Sequence, residues 1–397
     1  MPASSVLSDI KIADMTSVLF GPYATQTLAD MGADVIKIEP PSGDIMRYGG
    51  KPANTRGMGP MHFTLNRGKR SVAWDQKTDF GKEATRRLIE TCDIFIHNVR
   101  ESGIKRLNLT FDEVKKIKKD IVYVHCTGFN SEGPYAGRPA YDDIIQSLTG
   151  ITSLFPRLTG DEQPLCFPTM IVDKVAALHA VYAVLGALRE RDKIGEAVFV
   201  EVPMFECATH FLLEDHFGGA VFDPPVDGFG FKRSFDRTLQ PMKTKDGWIM
   251  IAPYTDDRWV KAFEVLGATA ELEDERLSDR KNRFYNSSYM HERLQSYFIN
   301  NTTDYWVEAL SEAHIPAGPA NALEDLQDEP QLKGTNFFQK RKHPTEGDYW
   351  ETQPPVRFAN SAENEIQPAP HIGEHTDSVL KELGMEPQAK EGKNANS

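Results

Sequence analysis

The stretch IKIADMTSVLFGPYATQTLADMGADVIKIE, Ile10 to Glu39, decides the fold. IKIADM has the apolar, branched character of a strand, and Gly21-Pro22 marks a turn into a helix over YATQTLADM. Gly32 ends that helix, because glycine enters the left-handed conformation that closes a helix at little steric cost. ADVIKIE then supplies a second strand. Strand, helix and strand in such close succession form the unit of a parallel sheet with a right-handed crossover.

The pattern recurs downstream. FGKEATRRLIETC reads as a helix, DIFIHNV as a strand and IVYVHCTGF as another. A long, mostly apolar helix follows Pro168, from about Asp173 to Arg191, and its composition predicts burial. The strand EAVFVEV and the helix MFECATHFLLEDHF complete the region. This alternation predicts an α/β fold with a large doubly wound, Rossmann-like domain over residues 1–205, joined by 330–397. GGAVFDPPVDGFGFKR, rich in Gly, Pro and Asp, reads as a linker. Beyond it, the strand DGWIMIAPY and the helix DRWVKAFEVLG open a smaller α+β domain over 225–325. Further helices are expected around His291–Phe298 and Asp304–Ala313. Linkers are expected at 206–224 and 326–329, and the terminal EPQAKEGKNANS is expected to be a disordered tail.

Bulk properties narrow the function. The net charge of −13 argues against a nucleic-acid partner or an anionic membrane surface. The longest apolar run, near Val175–Leu188, is too short to span a bilayer and is interrupted by His179. MPASSVLSD shows no basic region before an apolar core, so no signal peptide is expected. Cys92, Cys126, Cys166 and Cys207 lack metal-ligand spacing and read as reduced, mostly buried thiols of a cytoplasmic protein, with no metal site expected. G-x-G-x-x-G is missing after the first strand, and the P-loop, the H-E-x-x-H motif and the G-x-S-x-G elbow are missing too.

Several positions remain as candidates. Ser17, Val18 and Leu19 fall on the loop where the first strand hands over to its helix, beyond a strand's carboxyl end, where open parallel sheets bind ligands. An ordinary strand–helix connection is the competing reading. NRGKRSVAWDQK gathers Arg67, Lys69, Arg70 and Lys77, and RESGIKR adds Arg100, Lys105 and Arg106. Such clusters either hold phosphates or form solvated faces, and KKIKK, Lys115–Lys119, is read as the latter. Asp142, Asp143 and Asp173 stand at helix starts, where an N-cap role is the plain explanation. An aspartate leading so apolar a helix is also partly desolvated, which raises its pKa, while the helix N-terminus lowers it.

In order along the chain, DMTSVLFGPYATQTLADMGADVIKIEPPSGDIMR, NRGKRS, DIFIHNVRESGIKRLN, CTGFNSEGPYAGRPAYDDIIQSLTG, the Asp173 helix, HIPAGPANALEDLQDEPQL, PPVRF and HIGEHTDSVLKELG resemble the family III CoA-transferases. That group includes the formyl-CoA and carnitine-CoA transferases and the related α-methylacyl-CoA racemases. The resemblance runs from about Ile10 to Gly384. It implies a CoA-transferase that moves CoA from an acyl-CoA to a carboxylic acid through an aspartyl intermediate on Asp173. Tyr141 and Asp142 would support the site. Contacts to coenzyme A would fall on Ser17, Val18, Leu19, Trp74, Asp75, Gln76, Lys77, Asn98, Arg106 and Leu107. It also implies an interlocked homodimer and no tightly bound cofactor, with acyl-CoA and a carboxylic acid as substrates. The first turn of the Asp173 helix is a candidate source of oxyanion donors. Two departures stand out. The glycine run that shields the intermediate in formyl-CoA transferases is reduced to Gly230 within Phe229–Pro241. The histidine that racemases carry before the Asp142 position is Tyr141, so two-base exchange at an α-carbon lacks a base. The racemase reading, and that of a non-catalytic acyl-CoA-binding homologue, remain as alternatives.

Overall fold

The computed structural model describes residues 3–236, 240–359, 363–364 and 366–387. Most of the sequence expected to form the terminal tail, 388–397, lies outside the described residues, as do 237–239 within the Phe229–Pro241 region. The described chain divides into two compact units, one drawn from 1–151, 166–211 and 336–397, the other from 152–165 and 212–335.

The first unit is built on a six-stranded sheet. Its strands are β1 (Lys11–Met15), β2 (Asp34–Glu39), β3 (Lys69–Ala73), β4 (Ile94–His97), β5 (Val122–Thr127) and β6 (Val198–Pro203). All pairings are parallel, in the order β3-β2-β1-β4-β5-β6, with Ile12 opposite both Val35 and Ile94. The order reverses between β1 and β4, which opens a crevice at their carboxyl ends. Central strands are covered on both faces, so β1, β2 and β4 are almost wholly buried.

Helix α1 (Phe20–Asp30) follows β1 directly. Gly21 permits the tight entry: a Cβ there would lie 2.3 Å from the Cβ of Thr16. Helix α2 (Asp79–Glu90) is capped by the Thr78 hydroxyl, which accepts from Gly81 N–H at 3.0 Å, and it buries Ala84, Leu88 and Ile89. Helices α3 (Glu101–Arg106), α4 (Asp142–Thr149), α5 (Ile171–Ile194) and α6 (Met204–His216) complete the set that matters below. The small residues Ala176, Ala177, Ala180, Val184 and Ala187 on the buried face of α5 let it pack closely on α1 and β6. At 24 residues α5 is longer than its apolar run implied, and by length and composition alone it could cross a membrane. Half of its most apolar window is nonetheless buried inside the protein.

Beneath the β1 crevice lies a buried ionic layer. Lys37 pairs with Asp44 at 3.0 Å and donates to Thr16 O at 2.8 Å. Arg47 forks onto Glu39 at 2.7 and 2.6 Å and reaches Pro370 O at 3.0 Å. One of the basic clusters is thereby corrected. Lys69 is buried against Asp14 at 3.4 Å, Arg67 pairs with Asp30 and Arg70 with Asp34 and Glu382. These cations are consumed internally, Lys69 and Arg70 from strand β3 and Arg67 from just before it, by carboxylates the fold has already placed.

The outer edge of β3 is not left bare. Ser71 N–H donates to His375 Nδ1 at 3.2 Å and Ala73 N–H to Thr376 Oγ1 at 3.0 Å, while Ser71 O accepts from His375 N–H at 2.8 Å. Gly68 N–H likewise reaches Gln367 O at 2.8 Å. A distant segment thus covers an edge that would otherwise invite pairing with another chain.

The second unit carries an antiparallel sheet of β7 (Met242–Lys243), β8 (Trp248–Ile251) and β9 (Ala317–Pro319), with β8 central. Helices α7 (Asp256–Val265), α8 (Ser287–Phe298) and α9 (Thr303–Glu312) pack Phe263, Leu294, Phe298, Trp306 and Leu310 into its core. The glycine-rich segment after α6 folds back within this unit, Gly230 N–H donating to His216 O at 2.8 Å.

Candidate active site

The loop from β1 to α1 is held from two sides. Asn98, at the carboxyl end of β4, accepts Ser17 N–H at 3.0 Å and donates from Nδ2 to Ser17 O at 2.8 Å. Asp44 accepts Val18 N–H at 3.3 Å. Between them Val18 sits at φ +70°, a left-handed conformation that a β-branched residue adopts only under constraint. Such strain is characteristic of functional loops whose surroundings fix the backbone.

Helix α5 begins without a cap of its own. Met170 occupies the cap position and makes no side-chain hydrogen bond, and Asp173 falls one turn inside. The cap comes from elsewhere: Asp142 Oδ1 accepts Val172 N–H at 2.8 Å and Asp173 N–H at 3.0 Å. Asp142 Oδ2 in turn accepts from Gln146 Nε2 at 2.6 Å, and Gln146 ties the strap before α5 by accepting Phe167 N–H at 2.8 Å. The plain capping reading of the helix starts is therefore corrected for both aspartates. Asp142 caps a helix other than its own, and Asp173 caps nothing among the described residues. The oxyanion expectation also changes, because the N–H groups of Val172 and Asp173 are already taken.

Asp173 is 6% exposed. Burial, and then the neighbouring charge of Asp142, push its carboxyl up to about 7. A carboxyl raised in the folded state stabilises the fold at low pH, and that contribution fades as pH rises from about 4 to about 7. Ionised Asp173, by contrast, accumulates as pH rises through about 7. Any reaction that needs its carboxylate should gain rate across that range. Asp142→Asn, which retains an acceptor for the helix cap but removes the charge, should move the inflection of such a reaction's kcat/KM to lower pH. A pH–rate series on both enzymes checks this.

Asp173 and Tyr141 open onto a cleft of about 770 Å³ at the carboxyl ends of β1, β4 and β5. Ser17, Val18 and Asn98 line the same cleft. Arg100, Lys105 and Arg138 are the cations on its wall, and Lys105 is paired with Glu101. Leu19 and Asp142 line a second chamber of about 790 Å³, together with Gln146, Thr169 and Lys174. Asp143 lines the second chamber too, and the other sequence candidates line neither space. Trp74 is buried in the core with its Nε1 on Thr85 Oγ1 at 2.9 Å, and Asp75, Gln76 and Lys77 form the turn that follows β3. Arg106 and Leu107 lie at the end of α3, with Arg106 exposed.

Sequence reasoning passed over Gln146 and His125. Gln146 stands four residues after Asp142 on one helix, a spacing that places both side chains on one face. His125 lines the cleft and stacks on buried His97, with ring centroids 4.6 Å apart. Burial keeps both imidazoles below their ordinary range.

A group with metal-ligand chemistry, His343, Glu346 and His371, lies elsewhere in the first unit. Its atoms are engaged in tying a hairpin turn. His343 Nδ1 accepts Thr345 and Glu346 N–H at 3.2 Å, and Glu346 Oε2 accepts Asn54 N–H at 2.7 Å.

Comparison with known proteins gives the chain a family. The chain is 28% identical to succinyl-CoA:glutarate CoA-transferase of Mus musculus over 95% of its length and 86% of the relative's. It is 30% identical to formyl-CoA:oxalate CoA-transferase of Streptomyces coelicolor, covering 96% of each chain. The crystal structure of a CAIB/BAIF family protein from Brucella suis superposes with a TM-score of 0.82 at 28% identity, over 94% of this chain and 98% of that one. The profile of CoA-transferase family III matches residues 7–376, and the chain belongs to that family.

Proposed function

We propose that this enzyme moves CoA from an acyl-CoA donor to a carboxylic acid acceptor through a covalent intermediate on Asp173. The observation that carries the reading is the carboxyl of Asp173: buried, raised to about 7, facing the cleft, and free of structural duty because Asp142 does the capping. A desolvated carboxylate is a stronger nucleophile than a hydrated one, and burial keeps water from the intermediate it forms.

In the proposed sequence, an oxygen of ionised Asp173 attacks the thioester carbonyl, the C–S bond breaks, and a mixed anhydride and the CoA thiolate result. The thiolate attacks the aspartyl carbonyl, expelling the donor acid as its carboxylate and leaving CoA in thioester linkage to Asp173. The acceptor carboxylate then attacks that thioester, and the same two steps run in reverse. Over the whole cycle one thioester is exchanged for another of similar energy, with the mixed anhydrides as higher-energy intermediates, and no external proton or electron is required. Asp142 acts as a positioning residue, holding the backbone at Asp173 through two N–H groups. Arg100 and Arg138 on the cleft wall are the cations offered to the phosphates of CoA, with Lys77 and Arg106, which line neither space, kept as further candidates.

The relatives named above use glutarate and oxalate, which makes a short dicarboxylate the acceptor class of choice. Lys174, beside Asp173 and hydrogen-bonded to Thr169 Oγ1 at 2.7 Å, supplies a cation in the second chamber for a distal carboxylate. With succinyl-CoA as donor, glutarate and oxalate should accept CoA at least about tenfold more efficiently than the monocarboxylates of equal length, as loss of a charge-assisted hydrogen bond implies. A chromatographic exchange assay over a panel of acids measures this, and equal rates for mono- and dicarboxylates would remove the dicarboxylate assignment. An interlocked homodimer belongs to the same proposal. Leu178 and Tyr182 on α5 are 51% and 61% exposed, an apolar face that a second copy would cover.

A further inference from the structure

The second unit contains a cavity of about 510 Å³ that the transfer chemistry does not use. Its walls combine aromatic rings, among them Tyr254, Trp259 and Phe284, with several cationic side chains. The charges are unevenly answered. Lys232 is satisfied by Asp227 at 2.6 Å, and Arg283 is paired with Asp256. Arg233 and Arg280 make no ion pair with any described residue, although both line the cavity. In a chain of net charge −13, Lys232, Arg233, Arg280 and Arg283 against Asp227 and Asp236 on the same lining make a local reversal of sign.

The setting of these groups indicates what they would hold. Arg233 lies with its Cζ 4.8 Å from the centroid of the Tyr254 ring. Stacking occupies the face of a guanidinium and leaves the N–H groups on its rim free, which is the geometry that receives a carboxylate in the plane. Arg283, 3% exposed at the cavity wall, donates from Nη1 to Leu277 O at 2.8 Å, while its Nε–H has no acceptor among the described residues. A buried donor left unused is rare in a fold that needs nothing further at that place. Beside these donors the lining also supplies the rings of Tyr254, Trp259 and Phe284, which suit an aromatic body.

We propose that the second unit binds a carboxylate carried on a flat apolar body, its ring system among Tyr254, Trp259 and Phe284 and its carboxylate at Arg233 and Arg280. The site is assembled within the second unit alone, so it stands or falls independently of the chemistry at Asp173. None of its lining residues lines the transfer cleft, so it fits an effector acid or recognition of an aromatic acyl acid, two sources of one ligand chemistry.

Calorimetric titration of the full-length protein with 2-naphthoate and with uncharged 2-naphthamide tests the assignment. The acid should bind at least about tenfold more tightly than the amide, and Arg233→Gln and Arg280→Gln should each weaken the acid, but not the amide, by about tenfold. Trp259→Phe should leave the charge preference intact while changing affinity for both probes. Thermal melting of each variant separates lost binding from lost folding, and the acid–amide comparison on the unaltered protein needs no variant. Equal affinity for acid and amide, unchanged naphthoate binding in both arginine variants, or no heat up to about 10 mM ligand would each overturn the proposal. If the bound acid is also converted to its CoA thioester in the presence of an acyl-CoA, the site serves substrate recognition; if it is not, it serves an effector.

Discussion

Asp173→Asn should reduce CoA transfer by at least about four orders of magnitude while leaving a fully folded enzyme, since a covalent route cannot proceed on an amide. The fold should not suffer, because Asp142 rather than Asp173 caps α5 and the Asp173 carboxyl carries no structural hydrogen bond among the described residues. Above pH 7 the variant should even be more stable than the parent by about 1–3 kcal/mol, because the parent must hold a buried charge beside Asp142 that the amide lacks. Donor acyl-CoA added without acceptor should load the parent enzyme with an activated aspartyl group. Hydroxylamine should then leave a hydroxamate on the peptide containing Asp173, readable by mass spectrometry. Normal turnover by the Asn enzyme, or hydroxamate found only on another residue, would sink the assignment.

Arg47→Met should cost about 3–5 kcal/mol of stability, the penalty for stranding a buried partner charge. The stranded group is Glu39. Burial alone would push its carboxyl up, yet the Arg47 fork and the Lys37 charge hold it down to about 2. A depressed carboxyl contributes stability at neutral pH that is lost as pH falls from about 4.5 toward about 2. Urea melts of the variant should therefore lose much of this acid-side slope, with Glu39 taking up a proton nearer neutrality. Glu39→Gln in the Arg47→Met background should recover part of the loss, since the pair rather than either residue is the unit of energy. If the double variant is as unstable as the sum of the singles, the fork is not coupled as drawn.

The alternation of strands and helices was legible because a parallel sheet buried on both faces demands continuous apolar runs such as VYVHC and DIFIH. The Ser17–Leu19 loop was legible for the same reason: β1 ends where the strand order reverses. The capping arrangement was not. Nothing in local spacing shows that Asp142 reaches across to residues 172 and 173, since that contact depends on how α4 and α5 meet. The basic cluster Arg67, Lys69 and Arg70 misled for a related reason. Sequence shows the cations together but not that Asp14, Asp30 and Asp34 come from the neighbouring strand–helix unit to neutralise them.

The cover over the edge of β3 has a consequence for how the protein is made. Ala73 N–H waits for Thr376, 303 residues later in the chain. Throughout most of translation the nascent sheet would stand beside the ribosome with an open, parallel-paired edge, the state most exposed to wrong partners. A nascent chain of this design has reason to be held by a chaperone until residues 366–376 emerge. Substitutions in that late segment should therefore lower soluble yield in cells more than they lower the melting temperature of whatever protein does fold.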